Sequence, residues 1–403
     1  MPATETPAVV IVGAGPAGSA LAYFLASAGL AVRLLDKAEF PRDKTCGDGL
    51  SPRALHVLRR IGALEAVLAA GFRVNRLKVY APDGAFFDCP IPAHAGLADF
   101  AMVLPRYQLD DLIRQRAVAA GAVFQQATVS EVLRDAAGRG VGVRLTDGTE
   151  VRARAVVLAT GAATAVLERA GLAPAAPTLG RAARTYFTAM HGLEDAVEFH
   201  FDSVPLPGYG WVFPTSPTTA NVGAGYFVRA GGRAPHASPR QTFDEFVENP
   251  YVAGLLAGAQ PAAPVKGFPL RLDFPTARLA APGIFMVGEA AGLVNPLTGE
   301  GVDYALESAE VAAATLLEVL RASPPPERAV ETYTRALRAR FQRGFVNIGR
   351  VRDLYFQPWV LNRFVRAANR YAALKLQIVN IALGNVDALT ALRPGTLWRV
   401  VFG

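Results

Sequence analysis

VVIVGAGPAGSALAYFLASAGLAVRLLD, residues 9–36, decides the fold. Four consecutive apolar residues, Val9, Val10, Ile11 and Val12, read as a buried strand. A glycine turn follows, then a helix opened by Pro16 and Ala17, then a second apolar strand ending at Asp36. Gly13, Gly15 and Gly18 stand at G-x-G-x-x-G spacing. The first allows the tight turn, the second lets backbone approach a pyrophosphate, and the third lets helix and strand pack closely. The helix N-terminus offers free N–H groups and a positive dipole end to the phosphates. Asp36, followed by Lys37, sits where a carboxylate accepts from ribose hydroxyls. Strand, turn, helix and acid together specify a dinucleotide site.

Pro7–Val32 carries no charge, as a membrane span or signal peptide would. Gly13, Gly15, Pro16 and Gly18 interrupt that run, and no basic segment precedes it. The expectation is a cytoplasmic protein with neither leader nor span. The 403 residues are enough for two domains or slightly more, and 51% apolar with 19% charged residues suits a large core. Cys46 and Cys89 cannot build a disulfide framework, and no Cys/His cluster has metal-ligand spacing.

The net charge of +7 is uneven: from Arg321 onward fourteen Lys/Arg face four Asp/Glu, a local +10, which leaves about −3 for the rest. Nucleic acid, an anionic membrane surface or a solvated helical tail would each produce this. No nucleic-acid motif accompanies the charge, which argues against the first.

After Asp36 comes FPRDKTCGDGLSPRALHVLRRIG. Its first part is a loop; Ser51 and Pro52 then cap a helix running to about Ile61. Cys46 is a small packed residue or a group acting beside the cofactor. The stretch from Pro41 through Cys46 and Gly47 to Leu50 resembles the geranylgeranyl reductase family of flavoproteins, within it the bacterial menaquinone and polyprenyl reductases. These fold like aromatic hydroxylases. The cofactor so implied is FAD.

Further motifs follow in the family's order. Val74–Pro92 alternates around Pro82-Asp83-Gly84, a hairpin that leaves the first domain. Pro105-Arg106-Tyr107-Gln108-Leu109-Asp110 opens a helix and resembles the family's arginine motif, which places Arg106 beside the flavin; an ordinary helix-end ion pair is the alternative. Val156–Gly161 is a buried strand whose end, Thr160 and Gly161, meets FAD. Aromatic hydroxylases carry an Asp-Gly pair just beyond; this chain has Ala162-Ala163. The external electron donor is therefore open among NADPH, NADH and ferredoxin.

Pro207–Pro214 resembles the family's Tyr-x-Trp-x-Phe-Pro motif. Alternation puts Tyr209, Trp211 and Phe213 on one strand face, as the wall of an apolar cavity or as plain core. Flavin halogenases carry a related motif with tryptophan first and isoleucine before the proline. Gly283–Gly288 is another strand. Glu289, Pro296, Gly299, Gly301 and Val302 after it resemble the second FAD motif, in which an acid holds the ribityl chain and a helix N-terminus faces the isoalloxazine. Glu289 stands where aspartate is usual. Beyond residue 323 aromatic and basic residues recur at helical spacing. Such helices pack on the flavin domain, or face anionic headgroups at about 1 kcal/mol per basic residue; the second would put the protein at the inner face of the membrane.

The expected fold is α/β: a discontinuous Rossmann-like FAD-binding domain (1–73, 103–179 and 267–322), an antiparallel-sheet substrate domain (74–102 and 180–266) and a helical C-terminal region (323–403). The resemblance implies that FAD passes hydride to an isoprenoid C=C bond of an apolar lipid or quinone. Cys46, or water beside it, would supply the proton, and Tyr209, Trp211 and Phe213 would wall the chain. A flavin monooxygenase or oxidase acting on an apolar or aromatic secondary metabolite is the alternative, and a flavin-bearing membrane scaffold without turnover is a third.

Overall fold

A computed structural model describes residues 6–173, 179–228, 237–322 and 325–402. The strand Val9–Val12 lies at the centre of a six-stranded sheet, flanked by the parallel strands Val32–Asp36 and Ala155–Leu158. Val123–Gln126 extends one edge and Ile284–Met286 the other, both parallel; the short Ala280–Ala281 closes the sheet antiparallel. Strands from three separated parts of the chain thus meet in one sheet. Helices Pro16–Ser27, Arg106–Ala119 and Val302–Ala322 cover it. Its central strands are buried throughout, as parallel strands covered on both faces must be. The excursion 129–152 is a separate three-stranded antiparallel meander.

A second sheet of eight strands is built around the hairpin Arg76–Tyr80/Phe86–Pro90 and the long strands Leu179–Thr188, Gly208–Ser216 and Thr219–Phe227. It departs from the expected antiparallel sheet in one pairing: Ala196–His200 runs parallel to Arg76–Tyr80. That pairing joins hairpin to sheet across more than 100 residues, a distance at which no turn signal operates. Lys266–Arg271 pairs with Leu179–Thr188, so the strand spans the expected 266/267 border.

The helical end does more than lie on the flavin side. Helix Pro326–Tyr355 does pack there: Tyr333 Oη donates to Met286 O at 2.7 Å, and Arg338 Nη2 to Ala277 O at 2.9 Å. The next two helices, Pro358–Arg370 and Ala372–Ala382, instead reach the second sheet. Val365, Ala368 and Val379 join Phe87, Cys89 and Phe213 in one apolar cluster, and Asn369 Nδ2 donates to Phe86 O at 2.7 Å. The C-terminal helices therefore clasp both sheets. Among the described residues no helix is long and apolar enough to cross a membrane.

Candidate active site

Where the two sheets meet, a cavity of about 1020 Å³ runs from the glycine turn to the aromatic strand. Gly13 has φ +107°, and a Cβ there would lie 2.3 Å from Ala159 O. A Cβ on Gly18 would lie 1.8 Å from Gly13 O, so helix and turn are in contact. Gly15 is different: nothing stands closer to its Cβ position than Arg42 Nη2 at 3.7 Å, and it faces the cavity. The turn is thus closed where packing demands it and open where phosphate oxygens would approach. Asp36 Oδ2 accepts from the Ala14 N–H at 2.8 Å, and its Oδ1 accepts from Ala38 N–H at 2.9 Å, which fixes the carboxylate at the cavity edge.

The remaining expected residues divide cleanly. Pro16, Ala17, Lys37, Cys46, Gly47 and Arg106 line the cavity. So do Thr160, Gly161, Glu289, Gly299, Gly301 and Val302 from the later strands and turns. Gly18, Gly288 and Pro296 do not reach it. Gly288, at φ +59°, seats the turn against Ala17 and Ala305, and its N–H donates to Ser308 Oγ at 3.0 Å. Pro296 turns its carbonyl toward Arg352 Nη1, 3.4 Å away. Glu289 Oε2 lies 3.3 Å from Lys44 Nζ. Tyr209, Trp211 and Phe213 wall the far end, with ring centroids 6.0 and 6.4 Å apart in sequence. They are core as well as wall, because Trp211 and Phe213 also belong to the second sheet's apolar cluster.

A family model described as "FAD binding domain" matches residues 6–345. A menaquinone reductase of Mycolicibacterium smegmatis is 36% identical over 312 residues, which cover 76% of this chain and 75% of that one. Digeranylgeranylglycerophospholipid reductase 1 of Methanopyrus kandleri is 36% identical over 320 residues, 77% of this chain and 80% of its own. The chain belongs to this family of FAD-dependent oxidoreductases. Among solved structures, a geranylgeranyl bacteriochlorophyll reductase-like protein of Thermoplasma acidophilum superposes with a TM-score of 0.82 at 22% identity, covering 96% of this chain and 98% of that one. A flavin-dependent brominase superposes at 0.76 with 21% identity, covering 98% and 97%. At those identities the superpositions speak for the fold alone.

Two groups of this flavoprotein's site, Asn221 and Arg184, lie outside the motifs read in the sequence, and they tie those motifs together. Asn221 is fully buried and joins the Cys46 loop to the aromatic strand: its Nδ2 donates to Cys46 O and to Asp48 Oδ2, both at 2.7 Å. Its Oδ1 accepts from Trp211 Nε1 at 2.9 Å. Asp48 is fully buried in the left-handed region, at φ +67°. Burial pushes its carboxyl up to about 6, against the hydrogen bonds from Tyr186 and Asn221 and the charges of Arg184 and Arg106. The Asp48 N–H donates to Cys46 Sγ at 3.4 Å. Arg106 itself forms a two-pronged pair with Asp110 at 2.6 and 2.8 Å. It is therefore both a helix-end ion pair and a cavity residue.

Arg184, buried to the same degree, holds Asp43 Oδ1 at 2.7 Å and Lys44 O at 3.1 Å through Nη2. Alternation along Leu179–Thr188 sets Ala182, Arg184 and Tyr186 on one face, a signal that could have found them. Behind Gly299 and Gly301 lies a second acid group. Burial and the neighbouring Asp303 hold the Glu300 carboxyl well above the usual range, and burial raises Asp303 as well. Ser51 Oγ donates to Asp303 Oδ2 from the start of helix Pro52–Arg60.

Proposed function

We propose that this FAD-dependent oxidoreductase saturates an isoprenoid C=C bond of a polyprenyl lipid or quinone, and that it meets that lipid at the inner face of a membrane. The observation that carries this proposal is the continuity of one cavity, with a glycine cradle at one end and three aromatic walls at the other. The names of the relatives support it. FAD, when bound and reduced, supplies the hydride.

The residues have distinct tasks. The Gly13–Gly18 turn and Asp36 would hold the dinucleotide, with Lys37 and Thr160-Gly161 beside it. Glu289 would accept from the cofactor's sugar chain, and the Gly299–Val302 turn would offer the helix N–H groups to its ring. Tyr209, Trp211 and Phe213 exclude water and offer π faces to the electron-poor carbon that an unactivated alkene develops on protonation. The proton must come from the protein, because such an alkene is a poor hydride acceptor by itself. Cys46 Sγ, facing the cavity and held by the Asp48 N–H, is the donor or orders the water that is.

Stopped-flow measurement of flavin reoxidation, without O₂, tests the assignment. The substrate should be a polyprenyl phospholipid that carries no quinone ring. Reoxidation is expected in the parent protein and lost in Cys46→Ala, which still binds FAD. Unchanged reoxidation in Cys46→Ala would remove Cys46 from the proton path, and none in the parent would remove the lipid.

A further inference from the structure

The side of the second sheet turned away from the cavity holds a buried charge cluster that the proposed reaction does not touch. His200, at the end of strand Ala196–His200, is fully buried. Both of its ring nitrogens meet carboxylates: Nε2 lies 3.4 Å from Glu198 Oε2, and Nδ1 lies 3.4 Å from Asp202 Oδ1. The Tyr80 ring stacks on the imidazole at 4.2 Å, within 5° of parallel. A neutral imidazole has one N–H and one lone pair, so it would turn the lone pair on one of the two acids. Only the imidazolium serves both, and Asp202 Oδ1 has no other donor among the described residues. Burial works against that charge, but the bonds to Asp202 and Glu198 outweigh it and hold the imidazole above its ordinary value of 6.5.

The neighbouring groups keep their own states. Lys78, from the hairpin, holds Glu194 Oε1 at 2.6 Å and Glu198 Oε1 at 3.4 Å and stays charged; Arg76 also pairs with Glu194. Tyr251 Oη donates to Glu198 Oε1 at 3.0 Å, and burial holds the Tyr80 and Tyr251 hydroxyls above their usual range. Asp202 Oδ2 accepts from Asn249 Nδ2 at 2.7 Å, and Asn249 caps helix Pro250–Leu255. Among these groups His200 is the one that changes charge near neutrality.

Two aromatic residues connect the cluster to the cavity wall. Phe199 points to the other face of the same strand, with its ring 5.3 Å from those of both Tyr209 and Phe213. Phe246, 5.4 Å from His200, fills the space over Gly210, whose Cβ would lie 2.3 Å from that ring. Gly210 stands between Tyr209 and Trp211 and pairs with His200 across the sheet.

We propose that His200 is a positioning residue of the substrate wall: its two ion pairs pin the end of strand Ala196–His200 to Asp202, and so seat Phe199 and Gly210 behind Tyr209, Trp211 and Phe213. As pH rises through the imidazole's own value the pin is lost and apolar substrate binds more weakly, while the glycine cradle on the other sheet is untouched. The inference deepens the reductase reading and rests on its use of the wall.

Imidazole NMR of the FAD-loaded protein, with His200 assigned from His200→Gln, is read beside KM for detergent-dispersed polyprenyl lipid between about pH 6.5 and about pH 9. The His200 signal should titrate above 6.5. KM should rise by about tenfold with the same midpoint, while kcat and FAD affinity change by less than about twofold. His200→Gln should show the high KM at every pH, with no inflection. Asp202→Asn removes one of the two anions, so both midpoints should move together to lower pH; it carries the test if His200→Gln does not fold. A His200 signal titrating at or below 6.5, a parental KM in His200→Gln, or midpoints that part in Asp202→Asn would overturn the positioning role. No turnover by the parent at any pH would count against the reductase assignment instead. Hydrogen exchange of residues 208–216, corrected for its intrinsic pH dependence, then reads the wall without substrate. Protection should fall with the His200 midpoint, and flat protection would overturn the inference.

Discussion

Replacing Asn221 by alanine should release the Cys46 loop while leaving the fold intact. The carboxamide makes three bonds, to Cys46 O, Asp48 Oδ2 and Trp211 Nε1. Two are neutral, at about 1 kcal/mol each, and the one to the Asp48 carboxylate contributes about 1.5–3 kcal/mol. Since all the partners are then left buried, the sum is roughly 4 kcal/mol. Every ~1.4 kcal/mol is a factor of ten in an equilibrium, so the open population of residues 41–50 should rise by about three orders of magnitude. Hydrogen–deuterium exchange read by mass spectrometry on peptides covering 41–50 measures that directly. The acceleration should be confined to this loop and to Leu104, whose N–H donates to Asp48 O. FAD affinity should drop in parallel, because Lys44, Cys46 and Gly47 line the cavity. Exchange within about threefold of the parent would show that Asn221 does not hold the loop, and the bridging role would be wrong.

Gly18→Ala puts a Cβ on Gly13 O, so purified protein should lose its yellow flavin colour; retention of stoichiometric FAD would contradict the close packing. Asp48 is raised above its unfolded value of 3.8 to about 6. A carboxyl raised on folding lends stability at low pH that disappears as pH climbs through the folded value. Asp48→Asn, which tolerates the left-handed backbone, should therefore gain on the parent by about 3 kcal/mol between pH 4 and 6.5 and no further above that. Urea unfolding across that range checks it, and parallel curves for the two proteins would refute it. Trp211→Phe keeps a π face but leaves Asn221 Oδ1 without its donor, so it should loosen the same loop by about tenfold in exchange; exchange unaltered in that variant would detach the aromatic wall from the loop.

The glycine turn was legible because its physics is local: strand, turn and helix occupy 28 consecutive residues. The cavity wall was legible for a similar reason, since alternation alone places Tyr209, Trp211 and Phe213 together. The roles of Asp48, Asn221 and Arg184 were not, although Asp48 stands inside the Cys46 stretch and alternation sets Arg184 on one face with Ala182 and Tyr186: their bonds connect residues 138 to 175 positions apart, for example Tyr186 to Asp48 and Asn221 to Cys46. No spacing rule reaches that far. The C-terminal helices displayed apolar faces, but an amphipathic pattern names a buried side without naming what buries it. That is why their hold on the hairpin sheet emerged only in three dimensions. Gly288 and Pro296 show the converse: motif residues that lie off the cavity lining, Gly288 against Ala17 and Ala305 and Pro296 at Arg352.

Mass spectrometry of the product formed under strict anaerobiosis addresses the proposed chemistry most directly. Chemically reduced enzyme and a polyprenyl lipid should yield a product heavier by two hydrogens, and in D₂O both carbons of the reduced bond should carry deuterium, because the hydrogen of the donor acid and that of the reduced flavin both exchange with solvent. A product that forms only with air and carries an added oxygen would make the protein an oxygenase.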